Sequence, residues 1–282
     1  MKRLPLVAAA LALGSCAGAP SGDAAPAPSA RPQRVVSLNL CADQLLVPLA
    51  DRGQIAALNM NARDRWLSSV AERAGGYRLI RGSSEEVLAL DPDLIVGAPA
   101  FRTDALAAMS GRAYPALELP PANSYPEIRA QVLQLATALG HPDRGARLAI
   151  RMDGALAAIQ PAGQGRVAAY YQRRGYLTGA GTLVDELMTR AGLVNLATKL
   201  GKPALSRLGL EEMIAAQPDL LIVEEDSQAL ADQGGQMLQH PALRHIPRIV
   251  LPQAWTVCGG PAYVDAARSL NAQLAALPGP RA

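Results

Sequence analysis

The sequence predicts an α/β protein with two similar lobes, each built on a mainly parallel sheet, and a helical segment between them. Two observations support this fold class. One helix–turn–strand segment occurs twice, and short apolar runs alternate with helical patterns on both sides of a long strand-free stretch. Such alternation is typical of parallel sheets covered by helices on both faces.

The repeated segment begins with Glu-Glu and continues into Pro-Asp-Leu. It occupies residues 85–96 and returns at residues 211–222, where six of twelve positions are identical. Pro92 and Pro218 end each helix because proline lacks an amide donor and restricts the residue before it. The apolar run after each proline is typical of a buried parallel strand. Two such junctions can arise independently, but the paired glutamates at the same offset favour two related halves.

The N-terminal lobe is predicted to span residues 34–121, with strands and helices in alternation. The strands are expected at Arg34–Leu38, Ile55–Leu58, Leu94–Val96 and Ala116–Leu119. The helices are expected at Cys41–Ala50, Trp66–Arg73, residues 85–90 and Thr103–Met109.

A helical linker is predicted over residues 122–162, followed by a C-terminal lobe over residues 163–282. Apolar residues recur at helical spacing through the linker, and Gly140–Asp143 divides it into two helices. This segment is expected to act as a stiff spacer. The second lobe adds strands at Arg166–Tyr170, within the repeat and at Arg248–Leu251, and helices at Thr182–Ala191 and Pro261–Leu277.

The first residues form a targeting segment rather than part of the fold. Residues 1–15 combine a basic start with an apolar run too short to span a bilayer, as in a signal peptide. Cys16 ends a Leu-Gly-Ser-Cys sequence that resembles the bacterial lipobox, so we expect lipidation at Cys16. An ordinary signal peptide with a stray cysteine is the alternative. Residues 16–33 are mostly Ala, Gly, Pro and Ser, which predicts a flexible tether.

Charge and motifs narrow the classes of function. The formal net charge is +3, and Lys2 and Arg3 contribute two of these charges, so nucleic acid is not an expected partner. Glycine-rich dinucleotide and phosphate loops and the nucleophile-elbow motif do not occur. The three histidines lie at predicted turns without zinc spacing. These observations predict a soluble body that is not an enzyme, and they leave any metal site unknown.

Candidate ligand-binding residues follow from strand ends. Ligands of parallel sheets bind at the carboxyl ends of the strands. Aromatic and guanidinium groups at these positions suit a large, flat or anionic ligand, although any one of them is equally typical of a surface loop. The candidates are Asn39, Cys41, Arg63, Phe101, Arg102, Tyr171, Tyr176, Trp255 and Cys258.

Cys41 and Cys258 remain once Cys16 is set aside, and one falls in each lobe. Outside the cytoplasm such a pair favours a disulfide, which would cross the cleft and limit its opening. Two thiolate ligands for a soft metal, or two unpaired buried thiols, are the alternatives. A thiol-dependent cell-envelope enzyme using both cysteines is a rival function.

Several short motifs occur in a specific order. They are the Arg-Val-Val-Ser-Leu opening, the two Glu…Pro-Asp-Leu junctions, the helical segment, Gly179–Thr182, Asp185–Leu187, Ala191-Gly192 and Asn195. With the lipobox, this order resembles the periplasmic substrate-binding proteins of ABC importers for vitamin B12, ferric siderophores and haem. The resemblance covers residues 34–277.

The resemblance implies two Rossmann-like lobes joined by a long backbone helix, in a monomer without a cofactor of its own. It implies capture of a ferric siderophore or cobalamin, ahead of haem, and delivery to an ABC permease in the inner membrane. For haem, Tyr171 and Tyr176 are the candidate axial ligands. One glutamate per lobe, Glu85 and Glu211 by position, docks onto the permease. Both glutamates also suit a helix first turn. A structural lipoprotein with a vestigial cleft is a third hypothesis.

Overall fold

The structure is a computed structural model that describes residues 31–97, 114–225 and 233–279. Its strands are β1 (Val35–Ser37), β2 (Ile55–Asn59), β3 (Leu79–Ile80), β4 (Leu94–Gly97), β5 (Ala116–Glu118), β6 (Val167–Tyr170), β7 (Tyr176–Thr178), β8 (Val194–Asn195), β9 (Leu205–Arg207), β10 (Leu220–Glu224) and β11 (Arg248–Leu251). Its helices are α1 (Leu40–Leu49), α2 (Ser84–Leu90), α3 (Tyr125–Ala138), α4 (Pro142–Ala157), α5 (Leu183–Arg190), α6 (Leu196–Lys199), α7 (Leu210–Ala216), α8 (Gln233–Gln236) and α9 (Tyr263–Ala276).

Two parallel sheets confirm the predicted α/β class. The first has the order β3-β2-β1-β4-β5, and the second has the order β11-β10-β6-β8. β7 and β9 form a separate antiparallel pair. In both sheets a central strand, β1 or β6, is followed on one side by the strand of the repeated segment, β4 or β10, and then by β5 or β11. The internal repeat in the sequence is therefore a repeat in topology.

The segment between the sheets consists of two helices, α3 and α4, rather than one long helix. The break falls at residues 139–141, where Gly140 has a positive φ of 75°. α3 packs against α1 of the first lobe, and α4 packs against α9 of the second. The boundaries predicted for the leader, tether, lobes and linker stay predictions.

The two Pro-Asp junctions adopt the same conformation. Asp91 (φ 43°, ψ 61°) and Gln217 (φ 44°, ψ 59°) both close their helices in the left-handed region. The aspartate that follows the proline then accepts hydrogen bonds from the neighbouring central strand. Asp93 accepts from the amide of Arg34 (2.8 Å), and Asp219 accepts from the amide of Val167 (2.7 Å). The proline thus ends the helix, and the aspartate holds the new strand beside the old one.

The shared Arg-Val opening is not a structural equivalence. Val35 pairs with Leu94 of β4, and Ala168 pairs with Leu220, the equivalent residue of β10. Arg34 is therefore equivalent to Val167, and Arg166 lies one residue earlier. Arg34 is exposed and forms a 3.0 Å ion pair with Asp91. Arg166 is buried, and its guanidinium donates to four backbone carbonyls, including that of Leu274 in α9. One arginine lies on the surface, and the other fastens the last helix.

Two predicted helices differ from the structure. Residues 66–73 form successive turns, because Asp64 accepts the amides of Trp66 and Leu67 with its side chain and so competes with helical pairing. The last helix begins at Tyr263, so Pro261 lies in the preceding turn. The predicted helix Thr103–Met109 lies outside the described residues. Strands β3, β7, β8 and β9, each two or three residues long, were not predicted because so few residues show no periodicity.

One buried core is shared by both sheets. Its largest cluster contains Val96 of β4, Ile222 of β10, Ile128 of α3 and Leu270 of α9. A continuous core of this kind resists separation of the lobes, since opening would expose apolar surface. Within residues 31–97, 114–225 and 233–279, the helices are all too short or too polar to cross a bilayer.

The left-handed cap at Gln217 generates a stability prediction. Gln217 is exposed, and a side chain with a Cβ is disfavoured there by about 1 kcal/mol. We expect Gln217→Gly to be more stable than Gln217→Ala by roughly 1 kcal/mol, because only glycine relieves the steric penalty. Urea unfolding of the two variants measures the difference. Equal stability of the two variants would contradict a strained cap.

Candidate ligand-binding cleft

A cavity of about 790 Å³ lies between the two sheets. We call it the main cavity. It is lined by the residues that follow the carboxyl ends of β1, β5, β6, β10 and β11, together with the start of α5. Those are the positions at which parallel sheets bind ligands, so the fold itself selects this place.

The walls of the main cavity are largely apolar and also carry amide and hydroxyl groups. The apolar residues are Leu45, Leu119, Pro120, Pro121, Ala122, Leu183, Val184, Leu205 and Val257. The neutral polar residues are Asn39, Asn123, Gln131, Tyr170, Gln172, Thr178, Thr182, Gln253 and Thr256. Among the described residues that line it, Glu224 carries the only formal charge. Such walls suit a bulky ligand with an apolar body and many hydrogen-bonding substituents.

A hydrogen-bonded network holds Glu224 in place. Its carboxylate is buried and accepts from the Tyr170 hydroxyl (3.2 Å) and from the side-chain amide of Gln172 (2.8 Å). The Tyr170 hydroxyl also pairs with the hydroxyl of Thr256 (3.0 Å). The network joins β6, β10 and the residues after β11, so the polar part of the wall is pre-organised before any ligand enters.

Cys41 and Cys258 form a disulfide in the cavity wall, with Cα atoms 5.2 Å apart. Cys41 lies on α1, whereas Cys258 follows β11, so the bond joins the two lobes. The C-terminal lobe already touches the segment after β5 beside it, because a Cβ at Gly259 would lie only 2.6 Å from the Cβ of Ala122. The bond therefore fastens a packed contact at the edge of the cleft instead of bridging open space.

Three comparisons with known proteins bear on this arrangement. The sequence profile of the periplasmic binding protein family matches residues 35–249. The chain belongs to the periplasmic binding protein family. It is similar to a vitamin B12-binding protein of Pectobacterium carotovorum, with 26% identity over 259 residues, 88% of this chain and 90% of that relative.

Solved structures show the same fold. The vitamin B12-binding protein of Vibrio cholerae matches with a TM-score of 0.65 and 18% identity, over 86% of this chain and 97% of that one. The heme-binding protein of Roseiflexus sp. RS-1 matches with a TM-score of 0.69 and 23% identity, over 86% and 98%.

Three of the residues predicted from the sequence line the main cavity, namely Asn39, Cys41 and Cys258. Asn39 also begins α1, where its side chain accepts the amide of Ala42 (2.9 Å). Arg63 does not line the cavity, because its guanidinium donates to the backbone carbonyls of Ala74 (3.1 Å) and Tyr77 (2.6 Å).

Tyr171 points away from the cavity. Its ring is fully buried, and its hydroxyl donates to the carbonyl of Leu208 (2.8 Å). Burial raises the pKa of Tyr171 to about 12. Tyr170 faces the cavity instead, since successive side chains of a strand alternate between faces. The alternation of side chains along β6 and into the residue that follows it could have indicated this from the sequence.

The other candidates lie elsewhere. Tyr176 lines a smaller neighbouring cavity, and Trp255 is half-buried against the main core. Phe101 and Arg102 lie outside the described residues. Sequence reasoning missed the wall formed by residues 119–123 and by Thr182–Val184. Within the described residues, groups of three or more His, Cys, Asp or Glu side chains that could hold a metal are absent.

A second buried carboxyl lies behind this wall. Asp43 on α1 is fully buried, and burial raises its pKa to about 7. It accepts the amide of Asn59 (3.1 Å), which links α1 to the end of β2. It is not among the residues that line the main cavity.

The paired glutamates of the repeat differ in their contacts. Glu86 accepts three backbone amides at the start of α2, and Glu212 pairs with Lys202 (3.0 Å) and accepts the amide of Gly209. Glu85 and Glu211 stand one position earlier and are exposed. The second glutamate of each pair thus caps its helix, and the first is presented to the solvent.

The disulfide generates a prediction about stability. Cys41→Ala/Cys258→Ala should lower the free energy of unfolding by about 2–5 kcal/mol, because the bond closes a loop of 217 residues in the unfolded chain. Urea unfolding with and without dithiothreitol measures this. The reductant should destabilise the wild type and leave the double variant unchanged. A wild type that is insensitive to the reductant would contradict the bond's contribution.

Proposed function

We propose that this protein captures a metal chelate of low charge, a corrinoid, in the main cavity and delivers it to an ABC importer. The observation that carries the proposal is the lining of that cavity. Its described residues combine apolar walls with amide and hydroxyl groups and include no lysine, arginine or histidine. A corrinoid has an apolar macrocycle with amide substituents, which match these walls. The vitamin B12-binding relatives support the same ligand class.

A ferric siderophore is the second candidate, because proteins of this fold include an Fe3+-hydroxamate transport component. An anionic ferric chelate would favour cations in the main cavity, and the described lining has none, so only a neutral chelate such as a ferric trihydroxamate competes with a corrinoid. Haem fits less well. Tyr170 is the tyrosine among the described residues that line the main cavity, but its hydroxyl already pairs with Glu224 and Thr256.

Capture in this proposal needs only a small closure. The shared core, the disulfide and the packed α3–α4 pair all join the lobes, so they limit opening. A ligand between the sheets gains contacts from both walls at little conformational cost. Release then depends on the permease, which can separate the walls by holding each lobe.

Docking through Glu85 and Glu211 fits the internal repeat. Both carboxylates are exposed at the second position of equivalent seven-residue helices. Exposed aliphatic side chains, Leu88 and Ile214, stand three residues further along at 40% and 41% exposure. Each lobe thus offers a carboxylate beside an apolar group, and two equal surfaces suit a partner with two-fold symmetry.

The family implies a periplasmic location. We propose further that residues 1–15 are removed, that Cys16 carries a lipid and that residues 16–33 act as a tether. In this arrangement the body is monomeric, without a cofactor of its own, and its one membrane contact is the anchor.

Ligand retention tests the proposed class. The full-length Cys16→Ala protein should retain cyanocobalamin through gel filtration in preference to haemin or ferrichrome, measured by absorbance. Leu183→Asp should weaken binding at least about tenfold by placing a charge in the apolar wall. Ile150→Asp, an exposed aliphatic on α4, is the matched control and should have no effect. Retention of ferrichrome but not cyanocobalamin would refute the corrinoid assignment.

Charge reversal tests docking. Glu85→Arg/Glu211→Arg should reduce ligand uptake at least about tenfold in cells carrying the importer, because the carboxylates meet cations on the permease. Ligand affinity should stay within about twofold, since neither residue lines the main cavity. Glu72→Arg, also exposed, serves as the control for added charge. Normal uptake by the double variant, or loss of ligand affinity, would contradict the assigned role.

A further inference from the structure

A side cavity of about 490 Å³ adjoins the main cavity. Its first wall consists of Asp64, Trp66 and Leu67 from the N-terminal lobe. Its second wall consists of Gln172, Arg173, Arg174, Tyr176, Glu224 and Gln253 from the C-terminal lobe. Three of these residues, Gln172, Glu224 and Gln253, also line the main cavity. The two spaces therefore meet at these three side chains, and a ligand in the main cavity lies next to the side cavity.

The two cavities differ in charge. The side cavity has two guanidinium groups in its walls, whereas the described lining of the main cavity has none. Two further cations lie next to the aromatic residues of the side cavity. The guanidinium of Arg65 lies 4.5 Å from the ring centroid of Trp66, and that of Arg207 lies 5.4 Å from the ring centroid of Tyr176.

The two acids of the side cavity already have partners. Glu224 accepts from Tyr170 and Gln172, and Asp64 accepts the amides of Trp66 (2.8 Å) and Leu67 (3.3 Å). Two guanidinium groups and two acids lie in the walls themselves, and Arg65 and Arg207 bring the cations named here to four against two acids, so an anion is the favoured occupant.

The turn that carries Arg174 is held in a strained conformation. Arg174 has φ 60° and ψ 18°, and Gly175 after it has φ 75°. A Cβ at Gly175 would lie 3.0 Å from both the carbonyl of Leu208 and the sulfur of Met237, so the turn is close-packed from behind. Arg207 donates to the carbonyl of Arg174 (3.3 Å). Strain that is locked by packing is typical of residues with a function.

We propose that the side cavity binds an anionic substituent of the ligand, a phosphate or carboxylate, and that Arg174 recognises it. The inference rests on the proposed function, in which a corrinoid fills the main cavity. Guanidinium pairs with such oxygens through two parallel hydrogen bonds. The cleft then recognises a ligand with two parts, a body of low charge and one anionic arm.

Two corrinoids that differ in the arm test the proposal on the full-length Cys16→Ala protein. Cyanocobalamin carries a phosphodiester and nucleotide, and dicyanocobinamide lacks both. We expect Arg174→Ala to weaken cyanocobalamin binding about tenfold and cobinamide binding less than twofold, measured by calorimetry. Raising the salt concentration should weaken cyanocobalamin binding in the wild type but not in the variant. Arg151→Ala, at an exposed arginine on α4, is the matched control.

The outcomes separate the two proposals. If both corrinoids bind and Arg174→Ala affects them equally or not at all, the subsite is refuted while the ligand class stands. If neither corrinoid binds to the wild type, the corrinoid assignment is refuted, and the subsite defined on it is refuted as well. Competition by inorganic phosphate alone, without a difference between the corrinoids, would indicate a site for free anions and would also overturn the subsite.

Discussion

The close packing between the residues after β11 and the segment that follows β5 is the contact on which the cleft depends. Gly259 lies against Ala122 with no room for a Cβ, and the disulfide fastens the neighbouring residue to α1. Because the contact is at once packed and covalent, the two sheets cannot drift apart at this edge. The space between their strand ends is consequently a defined cavity with pre-organised walls. Each lobe supplies residues of one wall.

Much of the fold could be predicted from the sequence, because the repeated segment contains residues that strongly determine the local backbone conformation. Pro92 and Pro218 end helices, and Asp93 and Asp219 fasten the strands that follow. The short strands were not predictable, since β3 and β8 have two residues each and depend on pairing alone. Residues 66–73 likewise have helical composition, but the side chain of Asp64 takes the amides that a helix would need.

The cleft was only partly predictable. Strand ends indicated the region, and Asn39, Cys41 and Cys258 line it. That rule does not determine which face of the sheet a side chain points to. The prediction therefore chose Tyr171, although Tyr170 is the residue that faces the cavity. Long side chains were a second source of error. Arg63 follows a strand end, but its guanidinium donates to two backbone carbonyls of its own lobe and does not enter the cavity. Only the tertiary structure shows which acceptors a long side chain reaches.

The residues that the two lobes share and the residues that differ between them suit two different roles, docking onto a partner and recognition of a ligand. Residues shared by both halves, such as the exposed Glu85 and Glu211, suit a partner that meets each lobe in the same way. The walls of the cavities are not repeated. Arg174 has its turn in one lobe only, and the N-terminal lobe contributes Trp66 and Leu67 to the side cavity from an irregular segment. A ligand without two-fold symmetry requires such unequal walls. In the function proposed here, internal similarity locates the scaffold and the docking surface, whereas ligand recognition lies where the two halves differ.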